Sequence, residues 1–115
     1  MATVKTKPKP SQQKPAAAAE LEATFHALVA EWRRDTAPLS SVQDMVLHPA
    51  YQRIIGLGPD AIPLVLQELL ERRDHWFWAL RALTGVDPTG DDDRGRIGRM
   101  ADSWLEWGRQ CGYLE

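Results

Sequence analysis

The sequence predicts an all-α fold: a compact five-helix bundle behind a disordered N-terminal tail. Three observations predict it. Apolar residues recur three and four positions apart in successive segments of the 115-residue chain, and no segment alternates strictly as a half-buried strand would. Proline and glycine punctuate those segments at the places where helices start and stop. All four lysines, Lys5, Lys7, Lys9 and Lys14, fall in the first nineteen residues, which contain no acid and almost no large apolar side chain. Ordering that stretch would cost backbone entropy with no burial to offset it, so residues 1–19 read as a tail and residues 20–115 as one helical domain.

The first helix begins near Ala17. Leu21, Phe25, Leu28, Val29 and Trp32 form one stripe, and Arg33 and Arg34 close it where the macrodipole favours cations. Pro38 prevents continuation. Ser40 and Ser41 are N-cap candidates for the second segment, Val42 to Ile55, read either as one helix bent at Pro49 or as two short ones. Gly56 and Gly58 stop it. Pro59 and Asp60 open the third helix, whose apolar face is Ile62, Val65, Leu66, Leu69 and Leu70. Asp74 is expected to cap the fourth, with His75, Trp76, Phe77, Trp78, Ala79, Leu80 and Leu83, ended by Gly85. The two- or three-residue connection expected between them demands an antiparallel hairpin. Val86 to Gly95 is a loop rich in Pro, Gly and Asp. Ile97, Met100, Ala101, Trp104, Leu105 and Cys111 mark the last helix, and Tyr113 and Leu114 are expected to tuck back.

Composition excludes much chemistry. No segment approaches the ~20 apolar residues of a membrane span, and no apolar run follows the positive N-terminus as in a signal peptide, so a cytoplasmic protein is expected. The single cysteine, Cys111, makes no internal disulfide and has no CxxC partner. His26, His48 and His75 form no i, i+4 pair, and Asp91 to Asp93 lack the spacing of a calcium loop, so no metal is expected. The domain contains no lysine and no phosphate-binding glycine loop, and Ser40, Ser41 and Ser103 lack a nucleophile-elbow context. No cofactor and no enzymatic activity are expected. From Glu20 onward, 10 arginines against 16 acids leave −6, a charge that repels phosphate; the +4 of the tail suits either an arm for nucleic acid or a solubilising tail.

Residues 56 to 107 resemble the HEAT-like helical repeat proteins. Gly58, Ala61, Ile62 and Pro63 match the start of that family's first helix. Leu66, Leu69 and Leu70 match its inner face, and Ala79, Leu80 and Leu83 that of the second helix. Leu83-Thr84-Gly85, the acids Asp91 to Asp93, and Trp104 with Trp107 resemble the way such chains close. The resemblance implies a HEAT-like helical hairpin at the centre of the bundle. Only one unit is present where a solenoid needs about three, so solenoid functions do not carry over. The arrangement is also similar to small bacterial proteins associated with phage or mobile-element genes.

Five tryptophans stand out: Trp32, Trp76, Trp78, Trp104 and Trp107. At ~100° per residue, Trp76 and Trp78 point ~200° apart and cannot share one core. Trp76 lies on the stripe of Ala79, Leu80 and Leu83, Phe77 at its boundary and Trp78 outside. Trp76, Phe77 and Trp78 are thus the candidate partner-binding residues, with Trp78 as anchor unless Trp32 or Tyr113-Leu114 covers it. The expected function is a non-catalytic protein–protein interaction module or accessory subunit of a bacterial or phage-related complex. It would bind an unidentified protein or itself. The alternative is a nucleic-acid-associated regulator using the Lys tail and an arginine face of Arg94, Arg96, Arg99 and Arg109.

Overall fold

The computed structural model describes residues 16–115. Among them are six α-helices and two 3₁₀ turns, with no strand: α1 (Ala16–Thr36), α2 (Val42–Val46), α3 (Pro49–Gly56), α4 (Ile62–Glu71), α5 (Phe77–Thr84) and α6 (Ile97–Gln110). The expected tail falls outside the described residues up to position 15. Residues 16–19 belong to α1 instead, because four consecutive alanines, the strongest helix formers, extend it by a turn. No helix among the described residues is long and apolar enough to cross a membrane.

The segment from Val42 to Ile55 is two helices. Ser41 Oγ accepts the Asp44 amide and starts α2. Pro49 takes the first position of α3, where its missing N–H is harmless. The cap there is unusual: His48 Nδ1 accepts the Ala50 amide at 3.0 Å. Gly58, at φ +88°, turns the chain into the 3₁₀ turn Pro59–Ala61 and on into α4.

Two features of the hairpin differ from expectation. Five residues, not two or three, connect α4 and α5, and Asp74 does not cap the helix. Its carboxylate accepts the His75 amide, one residue on. The extra length lets Trp76 drop into the core before the helix begins. The amide of Ala79, third residue of α5, donates instead to the hydroxyl of Tyr51 on α3 at 2.9 Å, and that hydroxyl donates to His75 O at 2.9 Å. Burial pushes the Tyr51 phenol well above its ordinary range, so it stays a donor. Tyr51→Phe is expected to cost about 1–3 kcal/mol, the penalty for a buried amide left without an acceptor. Urea unfolding measures it; a loss below about 0.5 kcal/mol would show that the amide finds another partner.

The core has two connected parts. Phe25, Trp32, Tyr51 and Trp76 gather where α1 and α3 meet the start of α5, with Trp32 and Trp76 ring centroids 4.7 Å apart. Trp32 Nε1 donates to Met45 O at 2.8 Å, fixing α2 to α1. Leu66, Leu69 and Leu80 are fully buried between α4 and its neighbours, and Leu83 is partly buried against them.

Leu70 does not belong to the inner face; it is 45% exposed. Glu68 is buried instead, because Arg33 of α1 reaches it at 2.6 Å. Nor does Cys111 continue the α6 stripe: it is exposed just past the helix end, and Ile97 is 37% exposed at its start. The buried position near the end of α6 is Gly108. A Cβ there would come within 2.9 Å of Leu66 Cδ1 and 3.2 Å of Leu114 Cδ1. Leu114 folds back over α6 while its amide and that of Tyr113 donate to Gly108 O. Only glycine lets α4 and the returning chain approach α6 this closely.

Candidate interaction surface

The three consecutive aromatics separate sharply. Trp76 is fully enclosed and offers a partner no surface, whereas Phe77, 8% exposed, shows only an edge, in the wall of a depression beside Trp78. Trp78, the second residue of α5, is 53% exposed. The two segments expected to cover it are elsewhere. Trp32 packs on Trp76, and Tyr113 stacks on Trp107 with centroids 5.6 Å apart. The other four tryptophans are buried or partly buried, so Trp78 is the exposed one.

Trp78 stands as a ridge between two depressions. One, about 350 Å³, has walls from three elements: Val42 and Val46 of α2, Phe77 of α5, and Ile97 and Met100 of α6. Val42 and Ile97 are themselves exposed, at 46% and 37%. The other, about 330 Å³, is bounded by Arg81, Ala82, Val86 and Asp87. Arg81, one turn on from Trp78, holds its guanidinium 6.0 Å from the indole centroid, at the edge of cation–π range. A larger cleft, about 690 Å³, separates the start of α1 from Pro59 and Pro63. Its walls are mainly alanine, proline and leucine, and Tyr113 on its rim is already engaged by Trp107.

The rim of the second depression is a closed ion-pair set. Asp87 meets Arg94 at 3.2 Å and Arg81 at 3.9 Å, and Arg94 meets Asp91 at 3.5 Å. Partial burial pushes the Asp87 carboxyl up, but the Thr89 amide and the two guanidiniums pull it down further, and it ends below its ordinary value. Its contribution is therefore present above the unfolded value near 3.9 and lost as pH falls through the lower folded one. Amide exchange over residues 86–94 is expected to accelerate below about pH 4 while α4 and α5 stay protected. Unchanged exchange there at pH 3 would show that Asp87 does not hold the loop.

Those pairs also bear on the arginine face. Arg94 is neutralised by Asp87 and Asp91, Arg99 meets Asp93 at 3.7 Å, and Arg109 meets Glu106 at 3.6 Å. Of the four arginines, three already have carboxylate partners, and a phosphate would have to displace them.

One constellation had no signal in the sequence spacing. Glu31 and Asp35, one turn apart on α1, and His48 at the start of α3 bring their ligand atoms within 4.8 Å of one another. The hydrogen bonds give this cluster a different use from cation binding. His48 Nδ1 accepts the Ala50 amide, so the ring proton of the neutral imidazole sits on Nε2 and is donated to Asp35 Oδ2 at 3.0 Å. A cation at Nε2 would displace that proton while Nδ1 remained occupied, leaving an imidazolate. The hydrogen bond from His48 holds the Asp35 carboxyl below its ordinary value, against a smaller opposing effect of burial. The set works as a latch between α1 and α3.

Compared with known proteins, the chain matches no family model, no curated protein and no solved structure.

Proposed function

We propose that the chain is a non-catalytic protein–protein interaction module, an accessory subunit or adaptor acting in the cytoplasm of the bacterial or phage-related setting that its resemblances imply. The HEAT-like kinship of the α4–α5 hairpin is part of this proposal. One observation carries the reading: Trp78 stands half-exposed between two depressions while nothing described in the chain covers it. A tryptophan in water carries unfavourable apolar hydration that a partner would remove, and tryptophan and arginine dominate interface anchors. Arg81 beside it adds the second of these residue types.

The ion-paired state of Arg94, Arg99 and Arg109 weighs against the nucleic-acid alternative for the domain, and the tail lies outside the described residues. Trp78→Ala is expected to leave the circular dichroism spectrum intact and to weaken partner binding by about 2 kcal/mol, roughly 30-fold. The check is a pull-down from the source cell followed by titration. Binding that survives the substitution, or that falls steeply with salt as phosphate binding does, sinks this reading.

A further inference from the structure

We propose that the partner of the Trp78 face is a second copy of this chain, in a two-fold dimer where each Trp78 enters the depression between α2, α5 and α6 of the other. This rests on the interaction reading above and names its partner. An isologous interface needs one surface that is complementary to itself, so that a residue contacting a site on the partner has its own site contacted in return. A projecting group beside a hollow of suitable size and chemistry meets that need. Here the indole of Trp78 projects at the edge of a depression of about 350 Å³ walled by Val42, Val46, Phe77, Ile97 and Met100. The hollow is mainly apolar, with His75 in its lining and Trp78 itself as one wall, and methionine lets it adapt to an aromatic ring.

Charge selects the same occupant. A face carrying a strong charge of one sign repels its own copy, whereas it attracts an oppositely charged stranger. The rim beside Trp78 carries two arginines, Arg81 and Arg94, and two acids, Asp87 and Asp91, joined into one balanced set. It favours neither a cationic nor an anionic partner, and it lets two identical faces meet without like-charge penalty. Size sets the strength. Thirteen residues line the two depressions, fewer than the ~20–30 per side of a standard stable interface, so the dimer belongs to the weak, concentration-dependent class.

The test is sedimentation equilibrium on the full chain from about 1 μM to 1 mM, a range spanning the affinities of small interfaces. The weight-average mass is expected to rise from 13.0 kDa towards twice that value. Trp78→Ala, which removes the projecting group, and Val42→Asp, which spoils the hollow at an exposed helix N-terminus, are each expected to weaken association at least tenfold. Mixing the two variants is the decisive arm. A mixed pair regains one intact contact, Trp78 of the Val42→Asp chain in the hollow of the Trp78→Ala chain. It is expected to associate more tightly than either variant alone, which a merely structural role of either residue would not produce. Monomer throughout the range, variants that associate like the wild type, or a mixture no tighter than its components overturns the dimer. If the chain stays monomeric yet captures another protein in a Trp78-dependent way, the dimer fails while the interaction reading stands.

Discussion

Trp76→Ala is expected to lower the free energy of unfolding by about 3–5 kcal/mol, measured by urea unfolding followed by far-ultraviolet circular dichroism. Trp76 is fully enclosed and touches three other rings. Its plane lies 6° from that of Tyr51 at 5.4 Å between centroids, Trp32 is 4.7 Å away and Phe25 6.5 Å. Those rings come from α1 and α3, so the residue joins three elements at once. Its indole N–H has no hydrogen-bond partner among the described residues, and the whole contribution is packing. Trp76→Phe should accordingly recover most of the loss, since it keeps an aromatic body and removes an unpartnered donor. A phenylalanine variant as unstable as the alanine one would show that the N–H matters. A domain of this size has only about 5–15 kcal/mol to lose, so Trp76→Ala is expected to remove a large share of its stability.

Leu69→Ala is expected to cost about 2–5 kcal/mol. Leu69 is fully buried on α4, the helix that contacts both α5 and α6. The cavity left behind is bordered by elements that cannot easily collapse. Arg33 holds α4 through Glu68 on one side, and Arg73 fixes the chain after α4 to α6 by bonds of 2.8 Å to Gly98 O and to Asp102. Leu70→Ala is the control. It alters an exposed neighbour and should change stability by less than about 0.5 kcal/mol. Equal losses at the two positions would place the inner face of α4 differently from the arrangement described here.

The contrast between Leu69 and Leu70 shows what was legible in the sequence. Helical periodicity placed Leu66, Leu69, Leu80 and Trp104 correctly, because a stripe repeating every 3.6 residues depends only on local geometry. The same geometry separated Trp78 from Trp76. It failed at Leu70 and Glu68, where the apolar residue faces out and the acid faces in. The width of a stripe is decided by what packs on it, and Arg33 lies 35 positions away in the chain. The tertiary cap of α5 by Tyr51 was hidden for the same reason; periodicity marks tyrosine as core but says nothing about where its hydroxyl goes. The candidate binding residues form a run of three, whereas the surface has one of them well exposed and takes walls from α2 and α6 as well as α5. Those walls come together through packing between distant elements, which spacing within one helix does not encode. The spacing of His48 shows no partner, because its two acidic neighbours lie on another helix.

The close seat of α6 on α4 has a consequence for how the chain is made. Leu66, buried on α4, is covered from the far side by Gly108 and Leu114, more than forty positions further along. A ribosome delivers α1 to α5 first, and the matching side of α4 then waits bare until α6 has been synthesised. Through that interval the growing chain displays a leucine-rich helix face with nothing to sit on it, the kind of surface that chaperones grasp and that neighbouring nascent chains stick to. The wait ends only when α6 is free to dock and bring Trp104, Leu105 and Gly108 to α4. A chain cut short before α6 should therefore be sticky and chaperone-bound where the whole one is not.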